Sequence, residues 1–342
     1  MIEIDGSIGG GQLLRTAIGL SSVMGKPVRI INIRKGKGID KPGLKPQHMM
    51  GIRVAADFCN ARISGLHENS LEVEFIPDKI ALHDKNIDIG TAGSISLLLQ
   101  TITPLLVFGN KPVTLDIIGG TEVSWSPTIQ YIEHVTFPIL NKLGAKLELE
   151  IVKHGYYPRG GGEVVVKSRP VKAINPFICL ERGNIMGIAI DSVCGLLPAH
   201  VAERQGSSAL STIRYHFQDI KTSMSYKSVN SLSPGSSVTC YAVCENSIIG
   251  GSCLGEPGLK AEKVGETAAE ESIKSLKSNA AIDKYMADQI LLYVALAKGR
   301  SHLKVEETTD HCKTNMSVIE QIIPVEFRTE NNEIIIDGLG KS

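Results

Sequence analysis

Gly25-Lys26-Pro27-Val28-Arg29-Ile30-Ile31-Asn32-Ile33 carries the chain out of a helix and into a strand. Glycine supplies a left-handed residue that closes a helix, proline cannot continue one, and the β-branched run suits a pleated strand. The stretch returns as Gly109-Asn110-Lys111-Pro112-Val113-Thr114-Leu115-Asp116-Ile117-Ile118. Outward from each copy the same elements recur. The first copy has a periodic helix over 12–24 before it; after the strand over 28–33 come a polar loop, a helix over about 47–60, and strands near 61–64 and 71–76. Around the second, the spacing predicts helices over 94–108 and about 129–143, and strands over 113–118, 146–152 and 163–166. A third round follows without the proline: a helix over about 285–297 closed by Lys298-Gly299, a strand over 302–305, a loop over 306–313, a helix over 314–322, and strands over 325–328 and 333–336.

Helix, strand, loop, helix, strand, strand, three times over, predicts an α/β chain of three repeated units, each of two helices and a small mixed sheet, burying their faces against one another. Residues 183–276 break the pattern. They have strands over 185–191 and 237–244, helices over 199–213 and about 263–276, and a Ser/Gly-rich turn over 231–237. A smaller α/β domain inserted between the second and third units is expected. The larger domain then comprises 1–182 and 277–342, with units at about 1–80, 81–182 and 277–342.

The bulk composition fits a folded two-domain chain of 342 residues, with 42% hydrophobic and 21% charged residues. Lys+Arg and Asp+Glu are both 36, so the overall basic excess common in nucleic-acid binders is absent and any anion site must be local. Seven scattered cysteines without a C-x-x-C pair read as free thiols in a reducing compartment. The chain opens directly into a strand at 1–4, and no apolar run reaches the length of a membrane span, so a soluble cytoplasmic protein with no membrane partner is expected.

Four stretches carry chemistry. Gly9-Gly10-Gly11 opens a helix that has Arg15 about one turn in, where free backbone N–H groups can meet an anion. Between Arg34 and Lys45 lie Arg34, Lys35, Lys37, Lys41 and Lys45, stiffened by Pro and Gly, with Gln47 and His48 at the next helix start. A pre-organised basic loop of this kind suits a phosphodiester, although a solvated charged loop is the ordinary alternative. Asp88-Ile89-Gly90-Thr91-Ala92-Gly93-Ser94 places small hydroxyl residues at a helix start, with Gln100 further on; an N-cap by Thr91 or Ser94 explains much of it. His311, in Thr309-Asp310-His311-Cys312-Lys313-Thr314-Asn315, ends the equivalent loop of the third round, just before a helix, and Tyr285, Asp288 and Gln289 begin the other helix of that unit. Neither H-E-x-x-H nor a P-loop signature occurs.

Taken together, these stretches resemble the RNA 3'-terminal phosphate cyclase family nearly from end to end. The matching motifs, in order, are GGGQLLRT from Gly9, KPGLKPQH from Lys41, DIGTAGSISLLLQ from Asp88, GGT from Gly119, HGYYPRGGG from His154, AERQ from Ala202, YMADQ from Tyr285 and HCKTN from His311. The resemblance implies three repeated α/β units with an inserted smaller domain. It also implies an ATP-dependent enzyme acting on an RNA 3' end that bears a phosphate. A histidine takes AMP from ATP and pyrophosphate leaves; AMP passes to the 3'-phosphate; the adjacent 2'-OH then closes a 2',3'-cyclic phosphate and AMP leaves.

By the same resemblance His311 is the nucleophile. Gln100, Pro127, Leu254, Tyr285, Met286, Ala287, Asp288 and Gln289 contact ATP, with Pro127, Leu254 and Tyr285 about the adenine. Arg15, Arg34, Lys37, Gln47 and His48 lie near the RNA or ATP phosphates. A divalent ion, Mg or Mn, is implied, yet the Glu that usually precedes the three glycines is missing here: Asp5-Gly6-Ser7-Ile8 stands in its place, and the metal ligands stay unassigned. A homo-oligomeric state stays open. Two other readings compete: a non-catalytic ribosomal RNA processing factor of the same fold, expected to lack the histidine, and a small-molecule enolpyruvyl transferase built from similar units.

Overall fold

The computed structural model describes residues 1–36, 41–90 and 92–341. The first unit runs β1 (Ile2–Asp5), α1 (Gly11–Met24), β2 (Val28–Ile31), α2 (Pro46–Phe58), β3 (Arg62–Ser64) and β4 (Val73–Ile76). The second runs β5 (Lys85–Asp88), α3 (Ile95–Val107), β6 (Val113–Gly119), α4 (Ile129–Tyr131), a π-helical turn (Ile132–Thr136), α5 (Phe137–Lys142), β7 (Leu147–Lys153) and β8 (Gly162–Ser168). Next come β9 (Ile178–Cys179), then β10 (Ile185–Gly195), α6 (His200–His216), β11 (Thr222–Val229), β12 (Gly235–Cys244), β13 (Ile248–Leu254) and α7 (Ala261–Lys277). The chain closes with α8 (Lys284–Leu296), β14 (Lys298–Lys304), α9 (Asp310–Ile322), β15 (Phe327–Glu330) and β16 (Glu333–Leu339).

Three four-stranded sheets share one topology: β1-β2-β4-β3, β5-β6-β8-β7 and β9-β14-β16-β15. In each, the first pair is parallel and the other two are antiparallel. The repeat read in the sequence is therefore a repeat of sheet order. One boundary differs from expectation. Ile178–Cys179, placed by sequence in the second unit, pairs with β14 and supplies the third sheet's first strand. The inserted segment thus interrupts the third unit between its first strand and first helix, and does not sit between units. Its own sheet has the order β11-β10-β12-β13.

Helices of the three units pack together: α1 on α2, α3 and α9, and α8 on α9 and the π-turn. Leu13, Ile18, Ile95, Ile102, Ile290 and Ile319 are fully buried there, each contributing about 1.5–3 kcal/mol of transfer free energy. A separate apolar cluster, drawn from residues 188–276, packs α6 and α7 on the inserted sheet.

Of the three helix-closing glycines only Gly25 acts as a left-handed cap, at φ 63° with its N–H on the Ser21 carbonyl. At Gly109 the requirement is room: an added Cβ would lie 2.1 Å from Leu82. Gly299 sits inside β14. The helix expected over 129–143 is interrupted by a π-turn because Pro138 follows: it has no N–H, and its ring crowds the preceding turn.

Candidate active site

A cleft of about 620 Å³ opens where α1, α3, the loop before α4, the end of β13, and the starts of α8 and α9 converge. Arg15, Gln100, Pro127, Leu254, Tyr285, Asp288, Gln289 and His311 all line it. These eight come from all three units and from the inserted segment.

His311 is not at the end of a loop. α9 begins at Asp310, earlier than expected, because the Thr309 hydroxyl caps the helix by accepting from the Cys312 N–H at 3.2 Å. His311 therefore sits in the first helical turn, where unpaired backbone N–H groups favour an anion. Its Nδ1 lies 3.4 Å from Asp288 Oδ2; the imidazole is 65% exposed and the carboxylate 13%. Asp288 holds His311 above its ordinary range. Burial in turn pushes the Asp288 carboxyl up, opposed by His311 and Arg15. With Nδ1 held by Asp288, Nε2 is the ring nitrogen left for chemistry.

Two further residues of the HCKTN stretch act as fasteners. Asn315 accepts from the Thr16 hydroxyl at 2.8 Å and donates to the Asp288 carbonyl at 3.0 Å, tying α9 to α1 and α8. Thr314 donates to the Ile8 carbonyl at 3.4 Å. It is packed so closely that a Cβ on Gly9 would meet its methyl at 2.8 Å.

α1 starts on Gly10 without a side-chain cap. Arg15, one turn in, hydrogen-bonds Gln12 and has its Nε buried without a partner. Burial lowers its guanidinium to about 10, still charged at neutral pH. Gln100 likewise has a buried, unpaired Oε1. Unpaired buried polar atoms on a cleft wall are what a polar ligand would satisfy.

Helix geometry divides the YMADQ stretch. Tyr285, Asp288 and Gln289 share one face of α8 and line the cleft, whereas Met286 and Ala287 are 0% exposed and point into the core. Their side chains pack in the core and do not line the cleft. Asp283, which the sequence reading missed, organises this region. It caps α8 through the Tyr285 and Met286 N–H groups, accepts from the Tyr131 hydroxyl at 2.6 Å, and accepts from Gly250 N at 3.0 Å. An aspartate just ahead of an apolar helix was the available signal.

The basic-loop residues lie elsewhere. Gln47 and His48 line a small second cavity that shares Arg15 with the cleft. His48 is 8% exposed and burial, then Arg15, Arg34 and Lys45, lower it to about 3, so it is neutral. Its Nδ1 accepts from the Lys45 N–H, which leaves the proton on Nε2, close against Gly11 at the start of α1. Arg34 donates to the carbonyls of Lys41 and Gly43, closing the basic loop, and does not line the cleft. Lys37 and Thr91 lie outside the described residues. Ser94 does cap α3, accepting from Leu97 N.

The family model described as RNA 3'-terminal phosphate cyclase matches residues 7–329. The chain belongs to the RNA 3'-terminal phosphate cyclase family. Among similar proteins of that name, the one from Pyrobaculum aerophilum is 42% identical over 346 residues, covering 99% of each chain. The one from Methanosarcina barkeri is 45% identical over 335 residues, covering 97% of this chain and 98% of its own. The one from Archaeoglobus fulgidus is 42% identical over 340 residues, covering 98% and 100%.

The carboxylate nearest the glycines, Asp5, caps the 3-10 turn Gly6–Ile8 and is not on the cleft wall. Among the described residues no group of three or more His, Cys, Asp or Glu side chains is placed to hold a metal ion. Six of the seven cysteines are buried, and all are free. No helix of the described residues is long and apolar enough to cross a membrane.

Proposed function

We propose that this member of the family closes an RNA 3'-terminal phosphate into a 2',3'-cyclic phosphodiester, using ATP through a covalent AMP on His311. The observation that carries the reading is the His311–Asp288 pair on the wall of a cleft that Arg15 and Gln100 also line. Asp288 orients the ring and keeps the proton on Nδ1, so the Nε2 lone pair attacks the α-phosphorus of ATP. One P–N bond forms, one P–O bond breaks, and pyrophosphate leaves. Arg15 and the free N–H groups at the starts of α1 and α9 face the charge that builds on the phosphate. The AMP then passes to the RNA 3'-phosphate, and His311 is released. Attack by the neighbouring 2'-OH expels AMP, which restricts the substrate to an RNA end.

Pro127, Leu254 and Tyr285 are the adenine-side residues, Gln100 and Gln289 polar contacts to the nucleotide. Gln47, His48 and the loop closed by Arg34 belong to the RNA-end side, with Arg15 between the two. A divalent ion fits this cleft only in the manner usual for Mg, held by one or two carboxylates, here Asp288 or Asp310, with the ligand's phosphates and water completing its shell. Bound so, it would neutralise phosphate charge.

The test is incubation with ATP labelled on the α-phosphate, followed by denaturation. An adduct stable to alkali and released by acid is expected, reduced at least about a thousandfold in His311→Ala. A normal adduct in that variant would move the nucleophile elsewhere. No adduct in the native chain with any divalent metal would favour the non-catalytic RNA-processing reading.

A further inference from the structure

Trp125 is the chain's one tryptophan and, at 99%, the most exposed large hydrophobic residue among those described. Its φ of 65° lies in the left-handed region, which a bulky L residue rarely occupies because its Cβ crowds the backbone. The turn around it is braced. Ser126 bonds the Val123 carbonyl through both N–H and hydroxyl, at 3.2 and 2.7 Å. Ile129 N donates to Thr121 O, and the Thr128 hydroxyl meets that of Thr239 in the inserted sheet at 2.8 Å. A rigid, strained turn thus holds a large ring out in solvent on the cleft wall. Such strain at an exposed aromatic points to a ligand.

The neighbouring loop offers similar chemistry. Glu122 pairs with Tyr156 as an isolated parallel bridge, and just beyond it stand Tyr157, 75% exposed, and Arg159, exposed and without an ion-pair partner among the described residues. Arg159 and Tyr157 belong to the HGYYPRGGG stretch, to which the reaction above gives no role. Exposed aromatic faces with cations beside them are how proteins hold single-stranded nucleic acid, and stacking tolerates any base.

We propose that Trp125 is the stacking platform for a base of the RNA, at the mouth of the cleft, outside the Pro127–Leu254–Tyr285 side that takes the adenine. The inference rests on the RNA-end reading above. Because the chain has one tryptophan, its emission reports this residue alone. The experiment titrates the full-length protein with a short oligoribonucleotide ending in a 3'-phosphate, and separately with ATP, following emission; RNA binding is followed in parallel by anisotropy of an end-labelled copy.

Quenching by RNA and not by ATP is expected. Trp125→Ala should weaken RNA binding roughly ten- to a hundredfold, the range for loss of one stacked base, while Trp125→Phe retains most of it. RNA that binds by anisotropy without changing the emission overturns the proposal and spares the proposed function. Quenching by ATP alone also overturns it and makes Trp125 an adenine contact. An oligonucleotide that does not bind at all removes the proposed function, and the stacking role with it.

Discussion

At Asp288 two demands oppose each other. In the proposed reaction its carboxylate orients His311 for attack, yet raises the ring above its ordinary 6.5 and so keeps more of it protonated and unreactive at a given pH. Below the folded-state value the Nε2 lone pair is occupied; above it the lone pair is free. The rate of self-adenylation should therefore rise with pH and level off above the raised value. In Asp288→Asn the main support of the proton is gone, so the rising limb should move to lower pH while the plateau falls about 10- to 100-fold as orientation is lost. The pH–rate profile of single-turnover adduct formation measures both. A limb that stays in place would mean that the titrating group is not His311. The make-up of the cleft wall was legible only in part. His311, Asp288 and Gln289 were readable because they sit in recognisable stretches. Met286 and Ala287 share one of those stretches and face the core, since a motif records neighbours along the chain while a helix turns successive residues through about 100°.

At the scale of elements, the proposed RNA side can be tested. Arg34 fixes the basic loop by donating to the carbonyls of Lys41 and Gly43 while itself adopting φ 53°. Arg34→Ala should then loosen the loop without touching the cleft wall, raising the KM for RNA about tenfold while lowering self-adenylation less than twofold. Steady-state cyclisation beside single-turnover adduct assays decides it; equal loss in both would place Arg34 on the nucleotide.

The legibility of the fold also turns on elements. The amphipathic helices and the strands after Gly25 and Gly109 were readable because one face is buried and the spacing shows it. β5, β9 and β11 were not. β5 has one buried residue in four, β9 is two residues long, and β11 is a half-exposed edge strand in which five of eight residues are Ser, Thr or Lys. β13 was hidden by Gly250-Gly251, a pair that reads as a turn but here makes room: a Cβ on Gly250 would meet Tyr131 at 2.7 Å, and one on Gly251 the Ser272 nitrogen at 2.6 Å. Missing β9 is what misplaced the insertion.

On the scale of the whole molecule, the inserted segment shares in the cleft: Ser252, Cys253 and Leu254 line it together with Pro127 of the second unit and Tyr285 of the third. Asp283 is the joint. Fully buried, it gathers Tyr131 from the second unit, Gly250 from the inserted sheet and the first turn of α8 from the third unit. Burial raises its carboxyl to about 6, so it is mostly ionised at neutral pH, and these donors hold that charge. Asp283→Ala would strip the cap from α8 and leave the Tyr131 hydroxyl and Gly250 N–H buried without an acceptor. Each such group costs about 1–3 kcal/mol, so a loss near 3 kcal/mol is expected in urea unfolding at pH 7.5. Asp283→Asn keeps an acceptor and should lose less, about 1–2 kcal/mol, because a neutral oxygen accepts more weakly than a carboxylate. The same pair should raise the KM for ATP in the same order, since the proposed adenine side is built on the joint. A protein that loses stability in Asp283→Ala with its KM for ATP unchanged would mean that the cleft closes by some contact other than this one.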